Sequence, residues 1–117
     1  PGIYRYNPDN HSIELIKKGD FRIALCEAAL GQLCVEEAPV TIIFTGDFEK
    51  VTCRYGKRSF AYVYQESGHA AQNAYLQAVS LQLGTVVIGA FNDESVKKIL
   101  GLDGGEVPLY LMPVGKI

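Results

Sequence analysis

The stretch that decides the fold is residues 66–91, which read ESGHAAQNAYLQAVSLQLGTVVIGAF. Apolar and small residues recur through 66–83 at close to a helical period. They cover most of the helix circumference instead of one narrow stripe. This pattern predicts a central helix that is buried on several sides or forms half of a subunit interface. Gly84 is expected to end the helix, because glycine takes the left-handed conformation at no steric cost. His69 is expected to be a structural histidine on an apolar segment.

A β-branched run, Thr85–Ile88, follows the helix and is apolar on both faces, which predicts a buried interior strand. Gly89, Ala90 and Phe91 then form a turn of mostly small residues at the carboxyl end of this strand. Such a turn has two interpretations. It is either a simple tight turn or a place where a flat ligand approaches bare backbone.

The rest of the chain alternates strands and helices. Residues 2–17 have the alternation and turn residues of a β-hairpin, with His11 as a structural loop residue. The other elements expected from periodicity, caps and breakers are a helix over 21–30, a buried strand over 40–45, a helix capped by Asp93 and closed by Gly101, and a final strand over 107–115. Residues 1–117 are therefore expected to form one α+β domain on a mixed, mainly antiparallel sheet with a long central helix.

The composition is that of a globular domain, with 48% hydrophobic residues and a formal net charge of −2 over 117 residues. No block of like charge suggests a nucleic-acid partner, and no apolar run is long enough to cross a bilayer. The three cysteines, Cys26, Cys34 and Cys53, show no CxxC spacing. They are expected to be reduced and buried in a cytoplasmic protein without a metal site.

No self-contained catalytic motif is present, so the catalytic residues are left unassigned and a bound cofactor is expected to carry any redox chemistry. One small basic cluster lies within residues 54–58. It is interpreted either as a solvated loop or as a surface that meets an anionic group such as a phosphate.

Several segments together resemble the nitroreductase family, and more narrowly its SagB-type dehydrogenase branch, whose members include oxidases that convert azolines in modified peptides into azoles. The resemblance covers nearly the whole chain and rests on the ordered set of segments. These segments are GIYRYNP at 2–8, YGKR at 55–58, ESGHAAQN at 66–73, LGT at 83–85, IGAF at 88–91 and PLYLMPVG at 108–115.

The resemblance implies FMN bound at a homodimer interface, hydride transfer through flavin N5, and electrons from a nicotinamide, NADH or NADPH. By position, Gly89, Ala90 and Phe91 would lie against the isoalloxazine ring, with the Ala90 backbone N–H as the donor to N5. Lys116 would supply the positive charge for the FMN phosphate. The implied substrate is a small molecule or a peptide, and azoline oxidation, nitro reduction and quinone reduction all stay open.

The resemblance also sets a second hypothesis beside the oxidoreductase. The chain matches the carboxyl-terminal two thirds of such a domain, without the arginine-rich amino-terminal segment that grips the FMN phosphate and ribose. The absence of an initiator Met agrees with a piece of something longer. A non-catalytic fragment that dimerises or binds a partner, and that has lost the cofactor site, is therefore the alternative expectation.

Overall fold

The computed structural model describes all residues, 1–117, and confirms the α+β class. In chain order the elements are β1 (Gly2–Asn7), β2 (Ser12–Lys18), α1 (Arg22–Ala28), α2 (Leu33–Glu37), β3 (Val40–Asp47), α3 (Phe48–Tyr55), a 3₁₀ turn (Gly56–Arg58), α4 (Ser59–Ser80), β4 (Leu83–Thr85), α5 (Asp93–Leu100) and β5 (Glu106–Lys116). The sequence did not predict α2 as a separate helix.

The main sheet has three strands in the order β3, β5, β4, and every pairing is antiparallel. The predicted interior strand over 85–88 is wrong. Pairing of β4 with β5 ends at Thr85, and only Ile88 rejoins β5, through an isolated bridge to Leu111. The central strand is β5, which pairs with β3 over Glu106–Val114 and with β4 over Val114–Lys116. Val86 is 45% exposed, so the β-branched segment 85–88 is not buried on both faces.

The central helix α4 has 22 residues, because residues 59–64 are continuous with it. It stops at Ser80, so the prediction that Gly84 ends it is wrong: Gln82 takes the left-handed conformation with φ 59°, and Gly84 lies in β4. His69 is exposed on α4 instead of lying in an apolar environment. The buried positions of α4 are Ser59, Val63, Ser67, Ala71 and Ala78, one face at helical spacing.

The hydrophobic core lies where α1, α2 and α5 pack on β5, and its fully buried members include Ala29, Val35, Val96 and Leu111. Of the three cysteines only Cys26 is buried. Cys34 and Cys53 are exposed, so the prediction that all three are buried is wrong.

The amino-terminal end of α5 is capped by a side chain, although not by the predicted one. Asn92, and not Asp93, caps α5, because its side chain accepts a hydrogen bond from the Ser95 N–H. Gly101 closes α5 in the left-handed conformation, as predicted.

The predicted hairpin is present as β1 and β2, and it stands apart from the main sheet. Every residue of β2 is exposed. The guanidinium group of Arg5 anchors the hairpin by a bidentate ion pair with Glu106 at the start of β5, at 3.0 and 3.3 Å. None of the helices, α4 included, combines the length and apolar character needed to cross a membrane.

Candidate functional site

The turn Gly89-Ala90-Phe91 is fixed at both of its ends. On one side Ile88 exchanges two backbone hydrogen bonds with Leu111 of β5, at 2.8 and 3.0 Å. On the other side the Asn92 N–H donates to the carbonyl oxygen of Ala28 at 2.8 Å. The turn therefore bridges the central strand and the buried end of α1, which makes it a fixed part of the fold.

A side chain fixes the middle of the turn. The amide nitrogen Nε2 of Gln32 donates to the carbonyl oxygen of Ala90 at 2.9 Å and to that of Ala29 at 2.8 Å. Because both partners are carbonyl oxygens, only the NH₂ group of Gln32 can face them.

These anchors determine where the N–H groups of the turn point. All peptide bonds are trans, so each carbonyl and the following N–H point in opposite directions. The Ile88 carbonyl faces Leu111, so the Gly89 N–H points away from β5. The Ala90 carbonyl faces Gln32, so the Phe91 N–H points away from that side chain. The N–H groups of Gly89, Ala90 and Phe91 make no hydrogen bond within the chain.

Gly89 is not required by the fold itself. Its φ lies outside the left-handed region, so the backbone conformation is open to any residue. A Cβ atom placed there would meet nothing closer than Cε1 of Tyr110, at 3.6 Å, which is ordinary van der Waals contact. The glycine leaves open backbone above the Tyr110 ring, where a flat group can approach.

The segment before the turn is tied to the central helix. The backbone N–H of Val87 donates to the hydroxyl oxygen of Tyr75 on α4 at 2.7 Å. Three separate elements, α1, α4 and β5, therefore hold residues 87–92. Positioning by rigid elements is what a binding site needs in order to keep its donors in place.

Lys116 lies apart from the turn. It pairs with Leu83 at the far end of β5 and lines an open depression of about 570 Å³ together with Leu81 and Ile117. Leu111, next to the turn, is five residues away along the strand, a distance of about 17 Å. The structure therefore places the predicted site residues at two points along β5 and not in one cluster.

The basic cluster packs against tyrosines at the amino-terminal end of α4. The Arg54 guanidinium lies over the Tyr55 ring and that of Arg58 over the Tyr62 ring, each at 5.4 Å. The two rings meet edge to face at 5.3 Å. This arrangement is far from the 89–91 turn along α4 and forms a separate surface.

Two side chains outside the turn, Glu106 and Cys26, have shifted pKa values. Burial pulls the pKa of Glu106 upward, but hydrogen bonds from Arg5 and Thr45 and the charge of Arg5 outweigh it and lower that pKa. Burial raises the pKa of the Cys26 thiol, which keeps it protonated and unsuited to nucleophilic chemistry. No three His, Cys, Asp or Glu side chains converge as metal ligands.

The model of the nitroreductase family matches residues 2–116. This chain belongs to the nitroreductase family. An assigned nitroreductase of Methanocaldococcus jannaschii is 46% identical over 115 residues, which cover 98% of this chain and 57% of that protein. The chain thus spans little more than half the length of that relative. The expectation that it matches only the carboxyl-terminal two thirds of the domain is not confirmed, since the match to the family extends over nearly the whole chain.

Solved nitroreductase-like structures share the fold. An assigned nitroreductase from Anabaena variabilis superposes with a TM-score of 0.92 at 32% identity, over 98% of this chain and 24% of that one. The NADPH:FMN oxidoreductase from Vibrio harveyi, solved in complex with NAD⁺, has a TM-score of 0.73 at 27% identity, over 86% of this chain and 47% of that one. The long helix and antiparallel sheet described above are therefore the nitroreductase architecture.

The flavin that the family implies can be tested against these residues. The turn offers N–H donors that are unpaired within the chain and a glycine that the fold does not require, and both features suit the edge of a flat ring. Lys116 offers an exposed cation for a phosphate. The residues present therefore fit a flavin at the turn.

Sequence reasoning found the turn of this nitroreductase domain but missed the two side chains that hold it, Gln32 and Tyr75. Gln32 reaches a carbonyl 58 positions away in sequence, and Tyr75 reaches an N–H 12 positions away. No local pattern reports such pairs. The one local signal near Gln32 was the Gly31 break in the helical pattern just before it.

Proposed function

We propose that this chain is the flavin-binding part of an FMN-dependent oxidoreductase. The observation that carries the proposal is the turn at 89–91, with three N–H groups that make no hydrogen bond within the chain and a glycine that neither conformation nor packing requires. Backbone donors fixed before the ligand arrives stabilise developing charge without reorganisation. A small side chain at 89 keeps the surface flat.

FMN, when bound, supplies hydride transfer through N5 of its ring. The chain's own residues bind and orient it. The N–H of Ala90 is the candidate donor to N5, flanked by those of Gly89 and Phe91, while Tyr110 supports the turn from below. Lys116 is the candidate cation for the phosphate.

The electron donor and the substrate follow from the family and from the SagB-type resemblance. We assign NADH or NADPH as donor and a small molecule or peptide as substrate, with azoline oxidation as the SagB-type reaction and nitro or quinone reduction as the wider family's. Three free cysteines suit a reducing compartment, and we place the protein in the cytoplasm.

A homodimer is part of the proposal. Only 16 of the 117 residues are buried in the single chain, and many large hydrophobic side chains are exposed. On α4 the side chains of Leu76 and Val79 are 61% and 71% exposed. A second copy that packs on this helix would bury them. The alternative, a fragment without a cofactor site, is less favoured because the N–H groups of Gly89, Ala90 and Phe91 are unpaired and available to a ligand.

The test is a titration of the purified chain with FMN, followed by flavin absorbance and fluorescence, with the molar mass measured by light scattering in the same sample. Saturable binding that perturbs the flavin spectrum supports the proposal. A folded protein that leaves the flavin spectrum unchanged at every concentration contradicts it.

Riboflavin, which lacks the phosphate, separates the two parts of the site. Lys116→Ala should weaken FMN binding and leave riboflavin binding unchanged. Lys98→Ala, an exposed lysine of α5, is the matched control and should change neither. Equal loss with both ligands would remove Lys116 from the phosphate site.

A further inference from the structure

The backbone of Gln32 is fixed by hydrogen bonds to buried core residues. It lies between α1 and α2, and its own backbone is held on both sides. Its N–H donates to the Ala29 carbonyl at 3.2 Å, and its carbonyl accepts from the Val35 N–H at 3.0 Å and from the Cys26 thiol at 3.4 Å. Those three partners are buried core residues, at 0%, 0% and 4% exposure. The residue is therefore fixed before its side chain makes any contact.

The backbone just before Gln32 is strained. Leu30 has φ 59° and Gly31 has φ 76°, two successive left-handed residues. A leucine in this region is unfavourable by about 1 kcal/mol or more, and Leu30 is 68% exposed, so packing of its side chain offsets little of that. The strained pair reverses the chain after α1 and brings Gln32 back against Ala29.

The side chain uses both of its N–H donors on carbonyl oxygens, that of Ala29 on α1 and that of Ala90 in the turn. The bond to Ala29 fixes the orientation of the Gln32 amide group. The bond to Ala90 then fixes the orientation of the peptide group between Ala90 and Phe91. Because the Ala90 carbonyl is held toward Gln32, the Phe91 N–H is held on the opposite side. No other side chain makes a hydrogen bond to residues 89–91.

We propose that Gln32 is a positioning residue that holds the 90–91 peptide in the orientation required for flavin binding. The inference rests on the proposed function and deepens it, since it assigns a role to a residue that does not touch the cofactor. Its mechanism is rigidity. A turn free to rotate that peptide would present the Ala90 carbonyl to an electron-rich ring edge and would lose the Phe91 donor.

Two variants test this role. Gln32→Glu keeps the shape but replaces the NH₂ group by a carboxylate oxygen, which repels both carbonyls. Gln32→Leu removes the donors without adding charge and guards against an effect of charge alone. Gln65→Glu, an exposed glutamine of α4 whose side chain makes no hydrogen bond, is the matched control.

The first measurement needs no cofactor. In ¹⁵N relaxation, the backbone order parameters of Ala90 and Phe91 should lie near the rigid value of about 0.85 in the parent and fall toward 0.6 in both Gln32 variants. Order parameters in the remainder of the chain, and in the Gln65 control, should stay unchanged. Unchanged values at 90 and 91 in both variants overturn the proposal.

The second measurement is the dissociation constant of FMN. Both Gln32 variants should bind at least about tenfold more weakly, since a mobile site lowers apparent affinity by the fraction of competent molecules. In Gln32→Glu, protonation of the introduced carboxyl restores one donor, so affinity should recover as the pH falls toward about 4. Gln32→Leu should show no such recovery.

The outcomes separate the two proposals. If the parent binds FMN and both Gln32 variants bind it equally well, the positioning role is wrong and the flavin site stands. If the parent does not bind FMN, the proposed function fails, and the order parameters alone decide whether Gln32 positions the turn. A selective loss of order at 90–91 in the Gln32 variants supports that role, and no loss rejects it.

Discussion

The hydroxyl oxygen of Tyr75, on the central helix, accepts a hydrogen bond from the backbone N–H of Val87 at 2.7 Å. Pairing of β4 with β5 ends at Thr85, so the Val87 N–H has no partner on a neighbouring strand. The Tyr75 hydroxyl accepts its hydrogen bond instead. The bond connects the helix that carries the proposed dimer surface to the segment that leads into the 89–91 turn.

Tyr75→Phe should lower the free energy of unfolding by about 1–2 kcal/mol, because it leaves the half-buried Val87 N–H without a partner. Urea denaturation at neutral pH measures the change. Tyr64→Phe is the control: Tyr64 is 58% exposed and its hydroxyl makes no bond within the chain, so its removal should change stability by less than about 0.5 kcal/mol. Equal effects of the two changes would contradict the structural role of Tyr75.

Gly89→Val should abolish FMN binding and leave the fold intact, since the added atoms enter open space above Tyr110. FMN titration and urea denaturation measure the two properties separately. Gly46 gives the contrast. A Cβ at 46 would lie 2.8 Å from Cγ1 of Val63 and 2.9 Å from Cδ1 of Leu109, so Gly46→Val should be strongly destabilising. FMN binding by the Gly89 variant at parental affinity would place the ring elsewhere.

Leu76→Asp should shift the protein from dimer toward monomer, because it introduces a charge beside the exposed Val79 on the proposed dimer surface of α4. Sedimentation velocity over a range of protein concentrations measures the change. Leu33→Asp on α2, at 62% exposure against 61% for Leu76, should leave the mass unchanged. A parent chain that stays monomeric at high concentration would contradict the dimer itself.

Glu106→Gln should lower stability at pH 7 by no more than about 1 kcal/mol, since the side chain of its partner Arg5 is 53% exposed and solvent screens the pair. The pKa of Glu106 is lowered in the folded state, so its contribution is present above the unfolded value of about 4.3 and disappears as the pH falls through the folded value. Denaturation curves of parent and variant should therefore converge at low pH. The control is Glu27→Gln, at an exposed carboxylate without a salt bridge, which should change the stability at pH 7 by less than about 0.5 kcal/mol.

Leu30→Gly should raise the free energy of unfolding by up to about 1 kcal/mol, because glycine takes the left-handed conformation without strain. Leu33 is similarly exposed but lies in α2, where Leu33→Gly should lower stability by about 1 kcal/mol. Opposite signs for the two substitutions, measured by thermal or urea unfolding, would confirm the strain. A loss of stability with Leu30→Gly would show that the leucine side chain matters more than its backbone.

Local sequence signals predicted the elements that local interactions determine. The hairpin followed from its alternation and turn residues, α5 from its caps and Gly101, and α4 from its period. The strand over 85–88 failed because β-branched residues fit an edge packed on a helix as well as an interior strand, and the run itself does not reveal its neighbours. Gly84 failed as a helix stop because Gln82 accepted the left-handed conformation two residues earlier.

Part of the candidate site could also be predicted from local sequence, and part of it could not. The turn at 89–91 was visible from its small residues, and the family resemblance gave it a role. Gln32 and Tyr75 were not visible, because their partners are chosen by the packing of α1 and α4 on β5. The 17 Å or so between the turn and Lys116 along β5 likewise depends on the register, in which Ile88 meets Leu111 and Leu83 meets Lys116.

The central position of β5 has a consequence for how the chain folds. Its pairing with β3 joins Val40 to Val114 and Asp47 to Glu106, so the loops that must close are long and non-local contacts dominate the sheet, which slows folding. During synthesis the hairpin and the early helices can form as they emerge. The sheet lacks its central strand until β5 has been synthesised. Until then β3 has no strand partner, and its edges are open to pairing with other chains.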